Sequence, residues 1–369
     1  YYEKYNLLSK ELYNAFPQNE KFKNGLSVSY GKLGETFVPL GYSNKALECF
    51  QKSNQLLGEL CNANSQNVDY KNGLAISYLK LGEINTDQHL LPKALPFYEK
   101  YNQLEKELFD AYPQNVNFKN GLALSYLKLG ETNLGLGYFE ISTAFLKKYN
   151  QLIKAFSEAN PENIVFINGL AFSNEKLGEI YYNLGYLDTA LTFFEDASRM
   201  FEQLNSLSPQ DVSFKHDLAI LQMKIGDLKV SKGDLVTALT FYEKFERLEK
   251  DLWAANPMNT VYKNWLAVSY ERLGTTYTKL ENLDTALIYF KERCRLGKEL
   301  YETNPENVDF KNGLAFSYFK LGRIYINKDK VTARSYFIQC QALWQELAKD
   351  HPESTEFQDG LGKVKTILE

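Results

Sequence analysis

The chain has 369 residues, and its 42 basic and 46 acidic side chains give a net charge of −4, too mild to recruit a nucleic acid or a membrane by charge alone. No apolar run reaches the roughly 18 residues that would span a bilayer. Only 10 prolines and 22 glycines occur, mostly at regularly spaced positions, which leaves no linker or low-complexity stretch.

Residues 1–18 come first as a fragment: Tyr2-Glu3-Lys4-Tyr5-Asn6 matches Tyr98-Glu99-Lys100-Tyr101-Asn102, which lies inside a predicted helix. The N-terminus shows no basic segment followed by an apolar one, as a secretory signal would need. From residue 19 a unit repeats. Leu33-Gly34, Leu81-Gly82, Leu129-Gly130, Leu177-Gly178, Ile225-Gly226, Leu273-Gly274 and Leu321-Gly322 follow one another in steps of 48. A fixed period of this size marks copies of one supersecondary unit stacked in a row. The expected repeats are 19–66, 67–114, 115–162, 163–210, 211–258, 259–306 and 307–353, followed by a partial repeat 354–369 that stops inside a first helix. A single array over 1–369, cut from a longer cytoplasmic protein, is the expected organisation.

Each unit reads as two helices. In 67–114, Asn67 is placed to cap the first helix, and Asn19, Asn115, Asn163, Asp211, Asn259 and Asn307 are its equivalents. Tyr70, Leu74, Tyr78, Leu81 and Ile84 then form one apolar helical face. The helix ends near Thr86–Leu91, where other copies carry Gly185 or Gly233-Asp234. A second helix from about Pro92 places Ala94, Tyr98, Tyr101, Leu104 and Leu108 on one side and stops before Pro113. Glycine inside a helix costs about 1 kcal/mol relative to alanine, so Gly82 and its equivalents imply close backbone contact, expected to be with Ala94 and its equivalents. The recurrent Asn24, Asn72, Asn120, Asn168, Asn264 and Asn312 suggest a hydrogen-bond ladder between repeats. The fold class that follows is all-α, a right-handed α-solenoid or superhelix of antiparallel hairpins.

Chemistry is poorly provided for. His89, His216 and His351 lie in different repeats without a second ligand at metal-binding spacing, and the glycines sit singly rather than in a phosphate-binding loop. No catalytic residue, metal or cofactor is expected, and the chain is read as a non-enzyme. Cys49 and Cys61 are about 18 Å apart along one helix and cannot pair. Cys294 and Cys340 occupy neighbouring repeats, with free thiols the expected state of all four.

The landmarks resemble the tetratricopeptide repeat. Leu177-Gly178, Tyr181, Ala190, Phe194 and Ala197 follow its pattern, as do Tyr270, Leu273-Gly274, Tyr277, Ala286 and Phe290. The usual unit has about 34 residues, so each helix here is extended. Asn85, Asn133 and Lys229 replace the expected tyrosine, Ser142 replaces the alanine, and the last full copy is one residue shorter in its hairpin loop. Long units of this kind resemble arrays in bacterial signalling and defence proteins. The resemblance implies a protein- or peptide-binding scaffold, or the sensing arm of a larger protein, with first helices lining a concave groove. Two alternatives are a regulatory domain restraining an effector enzyme outside this segment, and a nucleic-acid-binding helical repeat.

Within that implied groove, the residue before Leu-Gly is always basic. The one after it runs Glu35, Glu83, Glu131, Glu179 and Asp227, then becomes Thr275 and Arg323. Early copies are therefore self-neutralised, whereas Arg272, Lys279, Lys320 and Arg323 form an expected basic end for an acidic segment of a partner. The Glu residues also replace the Asn needed by the clamp that some tetratricopeptide domains use for C-terminal carboxylates. An apolar stripe (Ile76, Leu79, Leu124, Leu127, Phe172, Tyr182, Phe316 and Phe319) either faces the groove or is buried by tight curling. Trp265 stands where other copies have glycine, and His216-Asp217 replaces Asn-Gly one copy earlier. Trp265 is either a binding anchor or a core filler.

Overall fold

In the computed structural model residues 1–369 are described, the side chain of Ala159 excepted. Sixteen helices, α1 (Tyr2–Ala15) to α16 (Thr355–Leu368), account for all regular structure among the described residues. The chain divides into two compact units, residues 1–180 and 181–369. Among the described residues no helix is long and apolar enough to cross a membrane.

In the first unit α2 (Glu20–Phe37) pairs with α3 (Ser43–Ala63), α4 (Val68–Asp87) with α5 (Leu91–Ala111), and α6 (Val116–Gly135) with α7 (Phe139–Ala159). α1 packs on α2, α3 on α4 and α5 on α6. The second unit repeats this with α10 (Val212–Ser231) and α11 (Leu235–Ala255), α12 (Thr260–Lys279) and α13 (Leu283–Thr303), and α14 (Val308–Tyr325) and α15 (Lys330–Asp350). α9 (Leu187–Leu207) packs on α10 and α16 on α15; α8 (Ile164–Asn183) crosses the division between the units.

The caps act as their sequence requires. Asn19, Asn67, Asn115, Asn163, Asp211, Asn259 and Asn307 each accept a hydrogen bond from a first-turn amide. The hairpin turns use the left-handed region, with Gly41, Gly137, Gly185 and Gly233 at φ between 75° and 80°. His89 and Glu281 hold the same place at φ 58° and 61°, a conformation that strains a side chain bearing a Cβ.

Packing at the Leu-Gly position differs from the expected Gly–Ala contact. A methyl group added to Gly34, Gly82, Gly226, Gly274 or Gly322 would come within 3.0 Å of the ring of Phe50, Tyr98, Tyr242, Phe290 or Phe337. These rings lie four residues beyond the small residue of the second helix, and they cover the glycine Cα. In the α6–α7 hairpin, where Leu146 covers Gly130, the small residue sits beside the glycine carbonyl. Ser142 shows this directly, since its hydroxyl donates to the Gly130 carbonyl at 2.7 Å.

The asparagine ladder is also made by a different series. Asn6, Asn54 and Asn102 donate to Ser29, Ser77 and Ser125 of the following first helix at 2.9, 2.9 and 2.7 Å. Asn150 donates to Asn174 at 2.8 Å, and in the second unit Gln222 donates to Ser198 at 2.9 Å. Of the expected series, only Asn24 and Asn312 make side-chain hydrogen bonds among the described residues. Within hairpins, ion pairs clasp the start of the first helix to the end of the second, as in Lys23–Glu59 at 2.8 Å and Lys263–Glu299 at 2.6 Å. All four cysteines are free.

One buried charge stands out. Glu105 is 3% exposed, one of its carboxylate oxygens has no partner, and it lies against the Cα of Gly121. Burial pushes its pKa up to about 7 from 4.5. A carboxyl whose pKa is raised by folding favours the fold when protonated, so its contribution is intact below about pH 4.5 and lost as the pH rises through about 7. Glu105→Gln should therefore raise stability by about 2–3 kcal/mol at pH 8 and have little effect at pH 4.5, read from urea unfolding at the two pH values. His89→Gly and Glu281→Gly should each add about 1 kcal/mol by relieving the left-handed turn, measured in the same way.

Candidate functional site

Helical periodicity assembles one polar cavity in the second unit. On α12, Arg272, Thr275, Thr276 and Lys279 are spaced three, four and seven residues from the first and share one face. α10 offers Asp227, Val230 and Ser231 by the same rule, and α14 offers Phe316 and Lys320 one turn apart. Tyr182, from the last turn of α8, and Tyr242, from α11, complete the lining together with Glu271. The cavity holds about 310 Å³. First helices therefore supply all of its wall except Tyr242.

The electrostatics are built around two carboxylates. Arg272 Nε lies 2.9 Å from Asp227 Oδ1, an ion pair whose angle is too bent for an aligned hydrogen bond. Tyr242 donates its hydroxyl to the same oxygen at 2.6 Å, and burial with that carboxylate pushes its phenol well up. Arg272 Nη1 is 3.6 Å from Glu271 Oε1, and Arg293 Nε is 3.6 Å from Glu271 Oε2. Burial pulls Arg272 down, but Asp227 and Glu271 more than reverse this and hold it above its ordinary value. Burial pulls Arg293 below its ordinary value, with Glu271 opposing.

Lys320 has no comparable partner. Its ammonium stands 4.8 Å from the Phe316 ring centre. Burial lowers its pKa; Glu271 opposes the shift, and the charges of Arg323 and Lys279 add to it. Tyr182 and Ser231 share a hydroxyl–hydroxyl hydrogen bond of 2.9 Å at the rim. Thr276 is turned back onto its own helix, donating to the Arg272 carbonyl at 2.8 Å.

Of the residues singled out in the sequence, Tyr182, Arg272, Lys279, Phe316 and Lys320 come together here. Arg323 is exposed beyond the lining, within electrostatic reach of Lys320. Phe319 packs in the core against Phe337 and Trp344, with ring centres 6.0 and 5.7 Å away. Trp265 packs against His216 and Phe245, at 5.9 and 6.3 Å. Beneath it His216 Nδ1 lies 2.8 Å from the fully buried Glu249 carboxylate. Phe172 belongs to the first unit, where it is half-buried with Lys176 over its ring. Along the proposed apolar stripe only Ile76 is exposed; Leu79 is buried, and Leu124 and Leu127 are half-buried.

The expectation that Arg272 lacks an acidic partner needs correction. Thr275 replaces the carboxylate on its own helix, but Asp227 from the preceding hairpin takes its place. In the first unit, by contrast, Lys32–Glu35, Lys80–Glu83, Lys128–Glu131 and Lys176–Glu179 pair along their own helices at 2.9, 2.9, 3.8 and 3.2 Å. Glu271 and Arg293 went unrecognised in the sequence, although Arg293 is a charge where the preceding copies carry uncharged residues. Glu271 stands where Gly31, Leu79, Leu127, Glu175 and Met223 stand, and Arg293 where Ser53, Tyr101, Tyr149, Ala197 and Phe245 stand. Among the described residues no group of three or more His, Cys, Asp or Glu is placed to hold a metal ion.

The sequence profile of the tetratricopeptide-repeat family matches residues 173–210. No curated protein matches the chain. Among solved structures, the apo form of RapI is similar with a TM-score of 0.56 and 14% identity, over 93% of this chain and 85% of that one. BtubC (BKLC) from P. vanneervenii is similar with a TM-score of 0.52 and 16% identity, over 69% and 90%. The apo form of the quorum sensor NprR from B. thuringiensis has a TM-score of 0.52 and 14% identity, over 90% and 81%. At such identities the likeness is one of fold, and with the matched profile it makes the chain a tetratricopeptide-like, all-α repeat protein.

Proposed function

We propose that the chain is a non-catalytic recognition scaffold that binds a protein or peptide on the faces of its first helices, with the basic end of the second unit receiving an acidic segment. The observation that carries this reading is the convergence of Tyr182, Arg272, Lys279, Phe316 and Lys320 on one cavity from the first helices α8, α12 and α14. Cations beside aromatic rings in a wall of this kind suit an acidic, partly apolar chain segment. The repeats 19–66 through 307–353 would then act as one array, whose regular parts hold the shape and whose irregular parts select the partner. Likeness in fold to a quorum sensor is compatible with a sensing arm, and four free cysteines support a cytoplasmic setting.

Lys279 and Arg323 are exposed and make no ion pair among the described residues, so they can be reversed without disturbing the core. The double variant Lys279→Glu/Arg323→Glu should keep its helical circular dichroism. It should bind Asp/Glu-rich peptides, selected on the wild-type chain, at least tenfold more weakly, with a flatter salt dependence in fluorescence anisotropy. Unchanged affinity and salt dependence would contradict the reading.

A further inference from the structure

The charges at this cavity do not balance. Its carboxylates are Asp227 and Glu271. Against them stand Arg272, Lys279 and Lys320 in the wall, Arg293 in contact with Glu271, and Arg323 acting on Lys320. Five cations thus share two carboxylates, a local excess of three positive charges in a chain whose net charge is −4. The two carboxylates are already committed, Asp227 to Arg272 and Tyr242, and Glu271 to Arg272 and Arg293. Lys279, Lys320 and Arg323 form no ion pair among the described residues. Repulsion of this kind is costly where solvent is partly excluded, and it is relieved when an anion enters.

The donors also have a particular arrangement. Arg272 turns Nε to Asp227 and Nη1 to Glu271, which leaves Nη2 for another acceptor. Lys320 comes from the next first helix and Lys279 from two turns along α12, while the Ser231 hydroxyl on α10 already donates to the Asp227 carbonyl at 3.0 Å. Three cationic donors on two first helices therefore border the space, as many as the terminal oxygens of a phosphoryl group. A single carboxylate would offset one of the three excess charges; a phosphoryl group brings about −1.5 to −2 and three acceptor oxygens. The volume of about 310 Å³ corresponds to roughly ten waters at ~30 Å³ each, room for a phosphorylated side chain with Phe316 against its stem.

We propose that this cavity is a phosphate pocket that takes the phosphoryl group of a phosphorylated side chain on the bound peptide. It rests on the peptide-binding reading above and narrows the ligand chemistry. A free phosphate-bearing small molecule presents the same group, so the test must separate the two sources.

The experiment uses the 369-residue chain and two probes: inorganic phosphate, and a library of acidic peptides in phosphorylated and unphosphorylated forms. Phosphate is expected to raise the melting temperature where acetate at matched ionic strength does not. Phosphopeptides are expected to bind at least tenfold more tightly than their unphosphorylated counterparts. Lys320→Gln should remove both effects; Lys279→Gln, exposed and clear of the core, should weaken phosphopeptide binding several-fold and serves as a second variant if the first fails to fold. Binding of unphosphorylated acidic peptides with equal affinity, and no response to phosphate, would overturn the phosphate pocket and leave the peptide-binding reading intact. A response to inorganic phosphate without any peptide binding would overturn the peptide as its source and the peptide-binding reading with it. A phosphate response unchanged in both variants would place the anion elsewhere and overturn this site. No binding of either probe would overturn both proposals.

Discussion

The scaffold depends on one steric constraint, a helix glycine lying under an aromatic ring of the partner helix. At Gly34, Gly82, Gly226, Gly274 and Gly322 there is no room for a Cβ, because Phe50, Tyr98, Tyr242, Phe290 and Phe337 occupy the space. Glycine weakens each first helix by about 1 kcal/mol, and burial of a large ring offsets this. The contact sets the separation and rotation of the two helices in each hairpin. Everything displayed on the first helix is aimed by it. Tyr242 makes the connection concrete, since its ring covers Gly226 while its hydroxyl holds Asp227, the next residue, in the cavity wall.

Much of this architecture is legible in the sequence, because it is made of short-range signals repeated several times. Asn or Asp at each cap, the turn glycines and the terminal prolines act within a few residues of themselves, and spacing alone reveals them. The identity of the contact across the hairpin is less legible. The glycine's partner is Tyr98 rather than Ala94 because the second helix crosses with its ring over the Cα, a matter of rotation that periodicity does not fix. The same reason hides the Asn54–Ser77 and Asn102–Ser125 ladder, in which donor and acceptor lie in different helices and only one member of each pair is an asparagine.

At the cavity the cations are legible and their partners are not. Arg272, Lys279 and Lys320 stand out because the acidic residue after Leu-Gly vanishes in the last two copies. The sequence gives no sign that Asp227 would turn from its own helix to Arg272 on the next. Arg293 is visible as a charge at an otherwise uncharged position and Glu271 recurs as Glu175, but their significance depends on lying in contact with each other. Where the repeat holds, as in Lys32–Glu35 and Lys80–Glu83, charge is neutralised along one helix. Where it fails, charge must be satisfied between helices, and in the second unit the satisfaction is incomplete. Incomplete neutralisation on a regular scaffold is a physical basis for selecting a partner.

The direct test of the glycine–ring constraint is a double-mutant cycle on Gly82 and Tyr98, read from urea unfolding midpoints. Gly82→Ala should destabilise the native chain by about 1–2 kcal/mol, the steric cost outweighing the gain in helix propensity. In a Tyr98→Ala background the same substitution should change sign and stabilise by up to about 1 kcal/mol. Stabilisation by Gly82→Ala in the otherwise native chain would contradict the constraint, because it would mean that the ring does not set the approach of the two helices.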